Sequence, residues 1–151
     1  MNQNIVNTGH PITDAILQSK LHDADSEGIK LNISTKLTEK ILVDELELGI
    51  ILGNALDNAI EATAKIDNNS EKFVTFDMIT TTERIVITIE NPVKGNVNSD
   101  KLTTTKTDKI NHGHGIRSIK TIAAKYDGDV FITCENGSFT VSINILNTFE
   151  H

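Results

Sequence analysis

Asn54, Asn58 and Glu61 stand at i, i+4 and i+7 of a segment whose apolar residues keep a helical period, so their side chains leave one face of a single helix. An asparagine oxygen is a hard, neutral ligand. It suits an ion such as Mg²⁺, which keeps several waters and completes its shell from phosphate oxygens. The same spacing fits a plainer helix whose asparagines face water or cap a neighbouring loop, and spacing alone leaves both readings open. In either case polar groups beside an apolar stripe need partners, because each one left buried and unsatisfied costs about 1–3 kcal/mol. Glu47 lies on the same line, one repeat earlier.

A second cluster, His112-Gly113-His114-Gly115-Ile116-Arg117-Ser118-Ile119, puts two glycines where a helix is predicted to open. Glycine lets the backbone approach a ligand closely, and the free N–H groups of a first helical turn attract phosphate. Gly-x-Gly also makes ordinary turns. Here it follows a polar stretch from Asn91 to about His112, roughly 20 residues long, more than a compact domain keeps without use. Within that stretch Lys106 could reach a phosphate as a mobile point charge, or be one more solvated lysine beside Lys101 and Lys109. His112 and His114 could contact phosphate, but two His at i, i+2 without nearby acids make a poor metal site.

The elements that must position these groups follow from pattern. A helix should open at Pro11 with Thr8 or His10 near its cap, place Ile12, Ala15, Ile16, Ser19 and Lys20 at helical spacing, and end at Gly28. A strand is predicted over 29–34. The second helix should run over about 43–66, with Leu48, Leu52, Ala55, Ala59, Ala62 and Ile66 as its buried stripe and the run 67–70 as its stop. Strands over 73–79 and 85–89 form a first hairpin. A helix over 115–126 follows the polar stretch, and strands over 130–134 and 139–145 meet at the Asn136-Gly137 turn. This order predicts a two-layer α/β (α+β) sandwich with a mixed sheet; the wound βαβ repeat of a dinucleotide fold is missing.

A chain of 151 residues makes one domain, and 38 % hydrophobic with 23 % charged residues is the balance of a folded protein. A net charge of -7 argues against a nucleic-acid partner, which needs clustered Lys and Arg. It does not exclude ATP, whose phosphates can be met by backbone amides and Mg²⁺. The single Cys134 excludes an internal disulfide and fits a reducing cytosol. No stretch approaches the roughly 20 apolar residues of a membrane span, and no signal peptide opens the chain, so a cytoplasmic domain without membrane contact of its own is expected.

Gly53-Asn54-Ala55-Leu56-Asp57-Asn58-Ala59-Ile60-Glu61-Ala62 resembles the N-box of sensor histidine kinases in the GHKL superfamily, in the version found in peptide-pheromone quorum-sensing receptor kinases. The 112–119 cluster resembles their second glycine box, Thr103-Thr104-Thr105-Lys106 their basic lid segment, and residues 8–20 the opening of their catalytic domain. The resemblance implies a Bergerat fold, a mainly antiparallel sheet of about five strands on three helices, filling residues 1–151 with an ATP lid over about 92–113. Asn58 would hold Mg²⁺, with Asn54 a possible second ligand. Asn54, Asn58, Glu61, Ala62, Asn91, Lys106, His112, Gly113, His114, Gly115 and Ile116 would line the ATP site. The family's Asp-x-Gly-x-Gly box is replaced by Ile89-Glu90-Asn91-Pro92-Val93, where the Asn91 amide could still accept from the adenine amino group.

The superfamily's ATPases carry a glutamate base where this chain has Asn54. An amide cannot take a proton from water, so the resemblance implies phosphoryl transfer rather than hydrolysis. The acceptor would be a histidine on a separate dimerisation domain of a membrane-anchored parent, with a response regulator downstream. Neither His10 nor His22 lies in an acceptor motif. Two alternatives stand beside this reading: a degenerate, non-catalytic interaction module, and a serine kinase of the anti-sigma-factor type.

Overall fold

A computed structural model describes residues 5–67, 71–93 and 114–149. The described chain runs α1 (Pro11–Ser26), β1 (Lys30–Leu37), α2 (Glu45–Ala64), β2 (Phe73–Thr80), β3 (Arg84–Pro92), α3 (His114–Lys125), β4 (Asp129–Glu135) and β5 (Ser138–Leu146). The sheet order is β1-β2-β3-β5-β4. β1 and β2 pair in parallel, from Lys30 with Phe73 to Leu37 with Thr80, and every other pair is antiparallel. Parallel neighbours need a long crossover, and α2 supplies it. The expected two-layer mixed sheet of five strands with three helices is what the described residues form.

Strand alternation fixes the layers. Phe76 stands opposite Ile89, and Ile89 opposite Val141, so these buried residues share the face on which the helices lie. Leu48, Ile51, Leu52, Leu56, Ile87, Ile119 and Ile143 fill the space between with no exposed area.

His10 caps α1, its Nδ1 accepting from the Thr13 amide at 3.3 Å, while the Asp14 carboxylate accepts from the Thr8 amide at 2.8 Å. Gly28, at φ 71°, ends the helix as expected: its amide bonds to the Asp25 carbonyl and that of Ile29 to the Ala24 carbonyl. The Asn136-Gly137 turn also forms, both residues at positive φ (52° and 78°), the two-residue type that matches strand twist.

On α1 the buried residues are Thr13, Leu17 and Ala24, while Ala15 and Ser19 are exposed. Several expectations need correcting. α2 starts later and ends earlier than 43–66, since the Asp44 side chain caps it by accepting from the Glu47 amide at 3.0 Å. Its buried stripe is wider than expected and turned, taking in Ile51, Leu56, Ile60 and Thr63, while Ala62 and Ile66 are half-buried. β1 continues to Leu37 because β2 offers eight partners in register. β3 runs on to Pro92, so Asn91, placed in the polar stretch by pattern, is a strand residue paired with Phe139.

Candidate functional site

α2 and α3 pack antiparallel, and their contact builds the best-formed part of the candidate site. α3 is amphipathic: Ile116, Ile119, Ile122 and Ala123 are buried, and Arg117 and Lys120 face solvent. This seats the first turn of α3 on Asn58. A Cβ added at Gly115 would lie 2.8 Å from Asn58 Nδ2, 3.0 Å from Oδ1 and 3.3 Å from Cγ. Glycine lets the helix start rest directly on the Asn58 amide, and a larger residue would have to push that side chain aside.

Asn58 Nδ2 is buried and has no hydrogen-bond partner among the described residues. Such a group costs about 1–3 kcal/mol, and a fold keeps one where something else is served. Asn54, one turn earlier, is half-buried; Glu61 is exposed and Ala62 half-buried. Asn91, only 2 % exposed, sits on the helix-facing side of β3 beyond Ile89, and its Nδ2 donates to the Pro92 carbonyl at 2.9 Å. The side chain of Ile116 belongs to the core, so that residue has only backbone to offer a ligand. Lys106, His112 and Gly113 lie outside the described residues, as do residues 94–113 of the expected lid; His114 opens α3, and its side chain is also outside them. Among the described residues no group of three or more His, Cys, Asp or Glu is placed to hold a metal ion. A cation here would depend on the asparagine amides and on its own anionic ligand.

Glu47, the fourth member of the helical line, has a different use. It accepts from Tyr126 Oη at 2.6 Å and pairs with Lys125. The hydrogen bond from Lys125, and then that from Tyr126, hold the Glu47 carboxyl below the ordinary carboxylate range. On the opposite side of α2, Lys20 Nζ lies 2.7 Å from Asp57 Oδ1. Burial of the ammonium lowers the Lys20 pKa, but the hydrogen bond and charge of Asp57, helped by Asp23, outweigh it and leave the pKa raised.

The profile described as "GHKL domain" matches residues 43–146, well over half of the sequence and the whole span from the α2 cap to the end of β5. The chain belongs to the GHKL family. No curated protein matches this GHKL domain by sequence. Solved structures match its fold. The nucleotide-free catalytic domain of histidine kinase ThkA superposes at TM-score 0.69 with 15 % identity, covering 98 % of this chain and 97 % of that one. Full-length ShkA in complex with AMPPNP gives TM-score 0.71 and 17 % identity over 98 % of this chain and 32 % of that one. The Acinetobacter baumannii histidine kinase AdeS gives 0.62 and 16 % over 89 % and 64 %. At such identities the likeness is one of fold.

GHKL domains bind ATP in general, and the residues present fit such a ligand. The Asn58 Nδ2 donor, which has no hydrogen-bond partner among the described residues, and the glycine packed against it at the start of α3 are the features here that a phosphate ligand could use. Sequence reading missed Tyr126, whose only signal was a lone aromatic closing an apolar helix. It also missed the Lys20–Asp57 pair and Asn147, which link residues far apart in the chain.

Proposed function

We propose that this GHKL domain binds Mg·ATP between α2, the sheet and the segment before α3, and delivers the γ-phosphoryl group to a histidine on a separate dimerisation domain. The observation that carries this reading is the buried Asn58 Nδ2 beneath Gly115, a donor without a hydrogen-bond partner among the described residues. Asn58 would hold the cation through its Oδ1, with Asn54 beside it, while its Nδ2 would donate to a phosphate oxygen; the amides at the start of α3, from His114 to Ile116, together with that of Gly113, would receive further phosphate oxygens. The bound cation would supply charge neutralisation on those oxygens. The Asn91 carbonyl oxygen is the natural acceptor for the adenine amino group, since part of its donor capacity is committed to Pro92. Lys106, His112 and His114 would close the phosphate end.

Asn54 supports transfer over hydrolysis: an amide cannot act as general base toward water. What remains for the protein is positioning and electrostatic stabilisation of an in-line transfer. The resemblance of residues 53–62 to the N-box of pheromone-receptor kinases supports reading the domain as part of a two-component signalling kinase that would act on a response regulator downstream. The test joins the domain to the segment preceding it in the parent protein and supplies γ-labelled ATP. An acid-labile phosphoprotein is expected. An acid-stable product would favour a serine kinase, and no product together with no nucleotide binding a degenerate interaction module.

A further inference from the structure

The contact between Asn58 and Gly115 has a counterpart at the other end of the same helix pair. The Tyr126 hydroxyl donates to Glu47 at 2.6 Å and accepts from the Asp44 amide at 3.1 Å, while Lys125 also donates to Glu47. Glu47 precedes Asn58 by 11 residues on α2, and Gly115 precedes Tyr126 by 11 along α3 and its end. At 1.5 Å per residue both separations are about 16 Å, so in this antiparallel pair the two contacts are in register.

Between them the buried residues of α3, Ile116, Ile119, Ile122 and Ala123, are apolar, and apolar contacts are non-directional and tolerate sliding or rotation of one helix on the other. Hydrogen bonds do not tolerate it. Tyr126 is fully buried, and its carbonyl accepts from the Leu146 amide at 3.0 Å. Next to it Gly128 packs so closely on β5 that a Cβ would lie 2.4 Å from the Asn144 carbonyl oxygen. The C-terminal end of α3 is thus a fixed pivot, and its N-terminal end is what the pivot aims.

We infer that the Glu47–Tyr126–Lys125 cluster is a positioning device for the nucleotide site, setting the register of α3 on α2 so that the Gly115 turn seats on the Asn58 amide about 16 Å away. This rests on the function proposed above. Tyr126 and Glu47 are positioning residues and touch no ligand. The clearance at Gly115 leaves little tolerance, so a small rotation about the pivot either lifts the first turn of α3 from Asn58 or drives it into the amide.

The experiment compares Tyr126→Phe with Thr80→Val, which removes buried hydroxyl bonds to Glu39 and none made by α3 or Tyr126. Both should lower the thermal midpoint. At a temperature where both are fully folded, Tyr126→Phe is expected to weaken a fluorescent Mg·ATP analogue about ten-fold, the equivalent of roughly 1.4 kcal/mol. It should also shift the NMR signals of the Gly115 amide and the Asn58 side chain in the nucleotide-free domain. Thr80→Val should do neither. If Tyr126→Phe lowers the midpoint but leaves affinity and both signals as in the wild type, the cluster is merely structural and the inference fails. Should the wild type not bind the analogue, the proposed function falls, and the NMR comparison still decides the register claim by itself.

Discussion

Replacing Gly115 by alanine separates a binding role from a folding role more sharply than any other single change. The new Cβ would stand 2.8 Å from Asn58 Nδ2, where ordinary contact begins near 3.4 Å, so the amide must retreat by about 0.6 Å. The obstacle is the end of a side chain, and Asn58 can yield by leaving its rotamer at about 0.5–1.5 kcal/mol. Alanine in place of glycine in a helix returns up to about 1 kcal/mol. The two terms nearly cancel, and the thermal midpoint should move little. Binding should not escape so lightly: a displaced amide loses a hydrogen bond to a charged oxygen, about 1.5–3 kcal/mol, or roughly ten- to a hundred-fold in Kd. Thermal melting with titration of a fluorescent ATP analogue in Mg²⁺ measures both. A Gly115→Ala variant that keeps wild-type affinity would refute the assignment of this contact to the nucleotide site.

Asn147→Ala should be strongly destabilising, by about 2–4 kcal/mol in denaturant unfolding, because its side chain accepts from Leu42 and donates to the carbonyls of Lys40 and Thr81, all of which lose a partner. Gly128→Ala should cost more than Gly115→Ala despite being the same substitution, since its Cβ would meet backbone at 2.4 Å rather than a side-chain end; melting the two side by side checks the order. The lowered pKa of Glu47 contributes stability that is full above its unfolded value of about 4.3 and is lost as pH falls through the folded value. Unfolding measured between neutral and acidic pH should therefore show a steeper loss in the wild type than in Glu47→Gln, which has no such proton to take up.

The elements were legible wherever a local rule governs them. α2 announces itself by its Leu and Ala period, and the β4–β5 turn by Asn136-Gly137, where backbone sterics leave few other residues. Boundaries moved where partners decide them: β1 is as long as β2 allows, and Asn91 is a strand residue because β5 pairs with it. Which residues of α1 are buried was not legible from its spacing, because packing against the rest of the fold selects Thr13, Leu17 and Ala24 and pairs Lys20 with Asp57. In the site, the type and spacing of Asn54 and Asn58 were readable, and so was a glycine at the start of α3. That Asn58 meets Gly115, 57 positions later, was not, nor that Glu47 on the same helical line serves Tyr126 rather than a ligand. Contacts across such separations are set by topology, which no local pattern encodes.

The central claim is that the Asn58 amide beneath Gly115 receives a Mg²⁺-bound nucleotide, and one titration reaches it most directly. A fluorescent ATP analogue is added to the wild type and to Asn58→Ala, each with Mg²⁺ and with chelator. The account predicts saturable binding by the wild type that weakens at least ten-fold, one decade for about 1.4 kcal/mol, on removing either the ion or the Asn58 amide, while the variant melts no lower than the wild type because an unsatisfied buried donor has been removed. Equal affinity in all four conditions, or no binding in any, would contradict it.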